Sequence, residues 1–216
     1  MSSPAASQRL AVLVSGGGSN LRALLDAIEQ RPGFGGEVVV VGSDRVEAGG
    51  LGHARAAGIP TVTRTLGADE DRATWEQGLA DALAAHEPDV IVLAGFMRIL
   101  SKAFLERWPD RVVNTHPSLL PAFRGANAVR EALAHGVKVT GCTVHLVDEQ
   151  VDHGPILAQV AVAVYTGETE DALHERIKAV EHRLLPACVE ALCQGRVRLD
   201  GRVATISPPP EAAPSL

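Results

Sequence analysis

Short runs of apolar and β-branched residues alternate, along the first half of the chain, with stretches in which apolar positions return every three or four residues. Leu10 to Val14, Val38 to Val41, Thr61 to Thr63 and Val90 to Leu93 are almost continuously apolar or β-branched, the pattern of strands whose two faces are both covered. After the first of them, Leu21, Leu24, Leu25 and Ile28 fall at helical spacing, which predicts a helix with Ser19 or Asn20 as its N-cap. Asp69 to His86 predicts another, with Trp75, Leu79 and Leu83 on one face and an end ahead of Pro88. A β-α-β-α series of this kind implies a parallel sheet with right-handed crossovers, and ligands beyond the carboxyl ends of its strands.

The second half has a different rhythm. Arg111 to Thr115 predicts a fifth strand and Ala126 to Ala134 a helix, while Lys138 to Val147 and Pro155 to Val164 predict two extended segments, joined by a polar loop and paired antiparallel. A last helix starts near Thr169 with Leu173, Ile177, Val180 and Leu184 inward, and Pro186 kinks or ends it. The fold class that follows is α/β: an open, mostly parallel sheet with an antiparallel C-terminal part. A chain of 216 residues without an internal linker suits one large domain, expected over 9–206, with flexible tails at 1–8 and 207–216.

Charge narrows the partners. The formal net charge is −6, with 20 Lys and Arg scattered along the chain rather than clustered. That offers no electrostatic footprint for nucleic acid or an anionic membrane. The apolar runs are strand length, far short of a spanning helix, and the N-terminus lacks the regions of a signal peptide, so the expected location is the cytoplasm. Cys142, Cys188 and Cys193 form no C-x-x-C pair and have no His at zinc-ligand spacing; they are expected to be free core thiols.

Two stretches carry candidate chemistry. Ser15-Gly16-Gly17-Gly18-Ser19-Asn20 follows the first strand and opens the first helix, where free N–H groups and the helix dipole favour an anion such as phosphate. It lacks the Gly-Lys-Ser/Thr of a P-loop and, with Leu21 at the third glycine position, the dinucleotide fingerprint. A nicotinamide enzyme stays open through Asp44, at the end of the second strand, where a ribose-binding carboxylate would sit. A tight turn with no ligand stays open too.

In Asn114-Thr115-His116-Pro117-Ser118-Leu119-Leu120-Pro121, Asn114 and His116 share a parity at the end of the fifth strand and project to one side. The loop around Val151-Asp152-His153-Gly154-Pro155 offers a carboxylate that can fold back toward them. Asn, His and Asp suit acyl transfer between nitrogens: an amide donates to a developing oxyanion, a His moves a proton near neutrality, and an Asp favours the protonated ring and orients it. Structural readings remain beside this one. His116 also suits a buried packing role and Asp152 a turn cap. Ser15, Ser19 and Ser118 raise a hydrolase, yet none lies in a Gly-x-Ser-x-Gly elbow; Ser118 is expected to brace its loop. His116, Asp152 and His153 are conceivable metal ligands without a strong spacing signature. His86, His135, His145, His153, His174 and His182 are read as surface or packing residues.

Four motifs in combination resemble one family. Ser-Gly-Gly-Gly-Ser-Asn at 15–20, Ala-Gly-Phe-Met-Arg-Ile-Leu at 94–100, Asn-Thr-His-Pro-Ser-Leu-Leu-Pro at 114–121 and Asp152-x-Gly154-Pro155 occur in the order found in the folate-dependent phosphoribosylglycinamide formyltransferases. The resemblance runs from Leu10 to about Val197. It implies a Rossmann-like formyltransferase fold, with a phosphate-binding half at 9–110 and a catalytic and folate half at 111–206. It implies direct transfer of the formyl group of 10-formyltetrahydrofolate, as co-substrate and with no metal, to the amine of glycinamide ribonucleotide in purine synthesis. By the same resemblance Gly18, Ser19 and Asn20 hold the substrate phosphate and Glu181 contacts the ribonucleotide. Arg72, Met97, Arg98, Ile99, Leu100 and Asn114 contact the folate. Asn114 also stabilises the oxyanion, His116 is the proton donor, and Asp152 favours its protonated form. Partners are then small molecules, with no nucleic acid or membrane, and the protein a monomer or homodimer.

Two departures matter. Arg124-Gly125-Ala126 is similar to the methionyl-tRNA formyltransferases, which share the trio, and His153 stands where the family often has a small residue. Transfer to methionyl-tRNA and hydrolysis of formyltetrahydrofolate are therefore the alternative reactions. A non-catalytic folate- or nucleotide-binding module is the alternative from another class.

Overall fold

Every residue from Leu10 to Val14 is fully buried, with Leu10, Val12 and Val14 turned into one apolar layer and Ala11 and Leu13 into the other. That is why the first strand, β1 (Gln8–Val14), shows no polar alternation: a strand's side chains point to both faces in turn, and here helices cover both. The computed structural model describes residues 7–209. Of the expected tails, 1–6 and 210–216 lie outside the described residues, and β1 opens at Gln8.

The elements follow as α1 (Ser19–Gln30), β2 (Gly36–Ser43), α2 (Gly49–Ala56), β3 (Thr61–Thr63), α3 (Arg72–Ala84), β4 (Val90–Leu93), α4 (Lys102–Leu105), β5 (Val112–His116), α5 (Ala128–Ala134), β6 (Val139–Leu146), β7 (Ile156–Ala163), α6 (Glu170–Cys193), β8 (Val197–Asp200) and β9 (Val203–Ile206). They build one sheet in the order β3-β2-β1-β4-β5-β6-β7-β9-β8. β1 to β5 pair in parallel, and β6 then runs antiparallel to β5 and β7 antiparallel to β6. The α/β class with a mostly parallel sheet and an antiparallel second half is as expected. Strand order reverses between β1 and β4, and the crevice beyond their carboxyl ends is where such sheets take ligands. One layer packs α1, α2 and the second half of α6 on the sheet; the other packs α3 and the region of α4, around Trp75, Leu79, Leu83 and Phe104.

Several boundaries moved for physical reasons. α3 begins at Arg72 rather than Asp69 because the Asp71 carboxylate caps it, accepting from the N–H groups of Ala73 at 2.9 Å and Thr74 at 3.1 Å. α6 neither ends nor breaks at Pro186 but continues to Cys193. Leu185, Cys188, Val189 and Leu192 on its far side are all buried, and that burial offsets the hydrogen bond the proline removes. α2 went unpredicted because three glycines among its eight residues erase the helical pattern; Gly50 is there because a Cβ would lie 2.8 Å from Val14. The β8–β9 hairpin also went unpredicted, although Asp200-Gly201 between alternating residues is its signal. The cysteines are free thiols, Cys142 and Cys188 buried, and burial pushes each of those two up to about 12.

Candidate functional site

The glycine-rich loop leaves β1 and enters α1 through Gly18, whose φ of +79° and approach to α2 both demand glycine: a Cβ would sit 2.4 Å from Gly50 Cα. Gly18 offers no side-chain cap and the first turn of α1 carries no acid. The N–H groups of that turn are left with no side-chain acceptor, the condition for binding an anion. Gly16, Gly17 and Ser19 are exposed. Asn20 instead turns inward, its Nδ2 donating to Glu181 Oε2 at 3.2 Å, while Thr115 Oγ1 donates to Glu181 Oε1 at 3.3 Å. Thus Glu181, buried on α6, ties the loop to β5, the strand that carries Asn114 and His116.

Ser15, at the mouth of the loop, donates to Asp44 Oδ1 at 2.6 Å and accepts from the Met97 N–H at 2.9 Å; Arg98 Nε donates to Asp44 Oδ2 at 2.8 Å. Both oxygens of Asp44 are thereby engaged and the residue is 3% exposed. The reading of Asp44 as a ribose-binding carboxylate therefore fails.

Asn114 and His116 do face the same side of β5, and both line a cavity of about 410 Å³ together with Asp152. The His116 ring lies between two oxygens: Nδ1 is 3.3 Å from Asp152 Oδ2 and Nε2 is 2.7 Å from the Phe123 carbonyl. Asp152 also accepts from the Gly125 N–H at 2.7 Å. Burial pushes the Asp152 carboxyl up, but its surroundings, among them the Gly125 hydrogen bond and the His116 charge, outweigh it and hold the group below the ordinary carboxylate range. Its φ of 48° is left-handed, a conformation few non-glycine residues hold without support from their surroundings.

His145, read from sequence as surface or packing, is instead 1% exposed within this cluster. The antiparallel register sets it opposite Asn114. Its Nδ1 faces the Leu146 carbonyl at 2.8 Å, so that nitrogen carries the proton; Nε2 lies 3.3 Å from Asn114 Nδ2 and 3.7 Å from Asp152 Oδ1. One amide hydrogen of Asn114 goes to His145 and the other is left for the cavity. The available signal was that a residue on β6 must oppose Asn114; its identity needed the register. His174, in the first turns of α6, also lines the cavity, where its sequence context suggests only a surface or packing role.

The segment after β4 forms another wall. Met97 is 65% and Ile99 60% exposed, apolar side chains beside an open cavity, whereas Leu100 is 4% exposed and belongs mainly to the core. Arg98 is spent on Asp44 and lies over the Trp75 ring at 5.7 Å. Arg72 does not line the cavity; it donates to the Ile99 carbonyl and holds the wall from behind. Ser118 braces its loop by donating to the Ala122 carbonyl at 2.6 Å. His153 faces Asp148 rather than His116 and Asp152, and no group of three metal-capable side chains gathers among the described residues.

Residues 8–189 match the formyl transferase family model. Over 203 residues the chain is 52% identical to the phosphoribosylglycinamide formyltransferase of Mycobacterium tuberculosis, covering 94% of this chain and 93% of the relative. It is 39% identical over 195 residues to the Escherichia coli enzyme of the same name, covering 90% of this chain and 92% of that one. Among solved structures, glycinamide ribonucleotide transformylase 1 from Symbiobacterium toebii is similar with a TM-score of 0.89 and 45% identity, over 93% of this chain and 94% of that chain.

Proposed function

The chain belongs to the formyl transferase family, and from that premise we propose that it moves the formyl group of 10-formyltetrahydrofolate to the amine of 5-phosphoribosylglycinamide, a step of purine biosynthesis. One observation above all supports this acceptor. The glycine loop suited to a phosphate is joined, through Asn20, Glu181 and Thr115, to the strand whose Asn114 and His116 open on the cavity. The cavity suits a flat pterin: Met97 and Ile99 offer apolar surface at its wall, and a few polar groups converge on its inner end.

In this reading the donor supplies the formyl group and the protein supplies position and charge. The amine nitrogen bonds to the formyl carbon while that carbon's π electrons move to its oxygen. The free amide hydrogen of Asn114 meets the growing negative charge, and His145 keeps the amide turned so that hydrogen, not oxygen, faces the cavity. His116, as general acid, gives a proton to the departing folate nitrogen as the oxyanion's electrons re-form the carbonyl and the bond from carbon to that nitrogen breaks, and the proton given up by the attacking nitrogen restores His116. Asp152 favours the imidazolium and fixes its plane. For His116 Nε2 to reach the reacting group, the Phe123 carbonyl must withdraw from it.

The acceptor is tested by supplying 10-formyltetrahydrofolate with 5-phosphoribosylglycinamide, with charged initiator tRNA, or with water alone, and following loss of the formyl group. Rapid loss confined to the ribonucleotide is expected. Turnover only with tRNA, or equal loss in water, would sink the reading.

A further inference from the structure

The loop that carries Asp152 is fastened at a point the trio does not use. His153 Nδ1 lies 2.6 Å from Asp148 Oδ2, and Asp148 Oδ1 accepts from the Gln150 N–H at 3.0 Å, so one carboxylate closes the loop on itself. Arg202, in the turn between β8 and β9, adds the outer tie: Nη1 packs against the His153 ring, 3.0 Å from Nε2 and 3.1 Å from Nδ1, and Nη2 donates to the His153 carbonyl. A ring carrying its proton on Nδ1 donates to Asp148, and the guanidinium lies against that ring while its Nη2 holds the carbonyl. The hairpin is held beside the loop by the pairing of Ile156 with Val203. At the loop's base a Cβ on Gly154 would lie 2.0 Å from the Leu146 carbonyl, so the backbone turns in a space that takes only glycine.

Between these ties Asp152 holds its left-handed φ, and Asp148, Gln150 and Val151 form one wall of the cavity. We propose that Arg202, acting through His153 and Asp148, is a positioning residue for Asp152 and for this wall, which makes the C-terminal hairpin part of the apparatus that binds the pterin-bearing donor. The inference rests on the reading of the cavity as the donor's site. It accounts for a histidine at this position, since a small side chain would leave Asp148 without this partner and Arg202 with the backbone carbonyl alone.

The contact is exposed, so its effect is modest. Arg202→Ala is expected to weaken binding of tetrahydrofolate, followed by titration calorimetry, by about fivefold. The KM for 10-formyltetrahydrofolate should rise by a similar factor while the KM for 5-phosphoribosylglycinamide stays as it is. His153→Ala should weaken binding too, and the double variant should fall short of the sum of the two single losses, because both residues share the contact between ring and guanidinium. Arg202→Lys, which keeps one donor, should recover part of the loss. Unchanged tetrahydrofolate binding, a loss spread equally over both substrates, or additive single effects would each overturn the proposal. If the unaltered protein binds tetrahydrofolate but transfers nothing to the ribonucleotide, the acceptor reading fails, and the calorimetric comparison still decides the role of Arg202.

Discussion

Asn114 has two amide hydrogens and His145 takes one of them, which fixes the direction of the other. Replacing Asn114 with alanine should therefore lower kcat by about 100-fold or more, measured in steady-state formyl transfer, with little change in thermal midpoint because the residue is only half-buried. Asp152 allows a pH prediction with a definite sign. Its carboxyl is held below the ordinary value of 3.8, so the stability it contributes is complete above that value and is lost as pH falls through the lower folded value. Asp152→Asn should lower the thermal midpoint at neutral pH, and the gap from the unaltered protein should close in strongly acid solution. A gap that stayed constant would show that the charge of Asp152 does not contribute. At this scale the parity of Asn114 and His116 could be read along one strand, but His145 could not: it is 31 residues away and meets Asn114 only through a register that two extended segments do not specify by themselves.

The N-terminus of the first helix, which the proposed function assigns to the substrate phosphate, is shaped by its neighbour. Gly50 of α2 donates its N–H to the Gly16 carbonyl at 3.1 Å and leaves no room for a side chain at Gly18. Gly18→Ala combines a left-handed φ with a backbone clash, and should lower the thermal midpoint by about 4 °C or more. The KM for the ribonucleotide should rise with it while the KM for the folate donor holds, since the distortion lies at the loop and not at the cavity wall. Legibility at the scale of elements followed the physics of pattern. β1, α1, α3 and β4 announce themselves by apolar spacing, whereas α2 is written in glycines chosen for close approach. Proline 186 reads as a stop because local propensity opposes a helix there, and burial of the following turn overrides it.

Across the whole molecule, two buried carboxylates join parts of the site that lie far apart in the chain. Asp44 links the glycine loop to the Met97–Arg98 wall, and Glu181 links Asn20 to Thr115 over separations of 161 and 66 residues. Glu181→Ala strands two buried polar groups and should cost about 1–3 kcal/mol in chemical denaturation, with a raised KM for the ribonucleotide. Glu181→Gln, which keeps an acceptor for one of them, should cost less. Unchanged stability in the alanine variant would mean that water replaces the carboxylate. By itself the sequence determined the class of the fold, the crevice at the strand ends, the glycine loop and the shared face of Asn114 and His116, because each depends on periodicity or on neighbours within a few residues. Only the tertiary structure decided that Asp152 reaches His116, that His145 orients Asn114, that Asp44 is spent inside the protein and that Arg202 clasps the loop. Those contacts depend on strand register and on the docking of distant elements, which side-chain pattern constrains only through the finished packing.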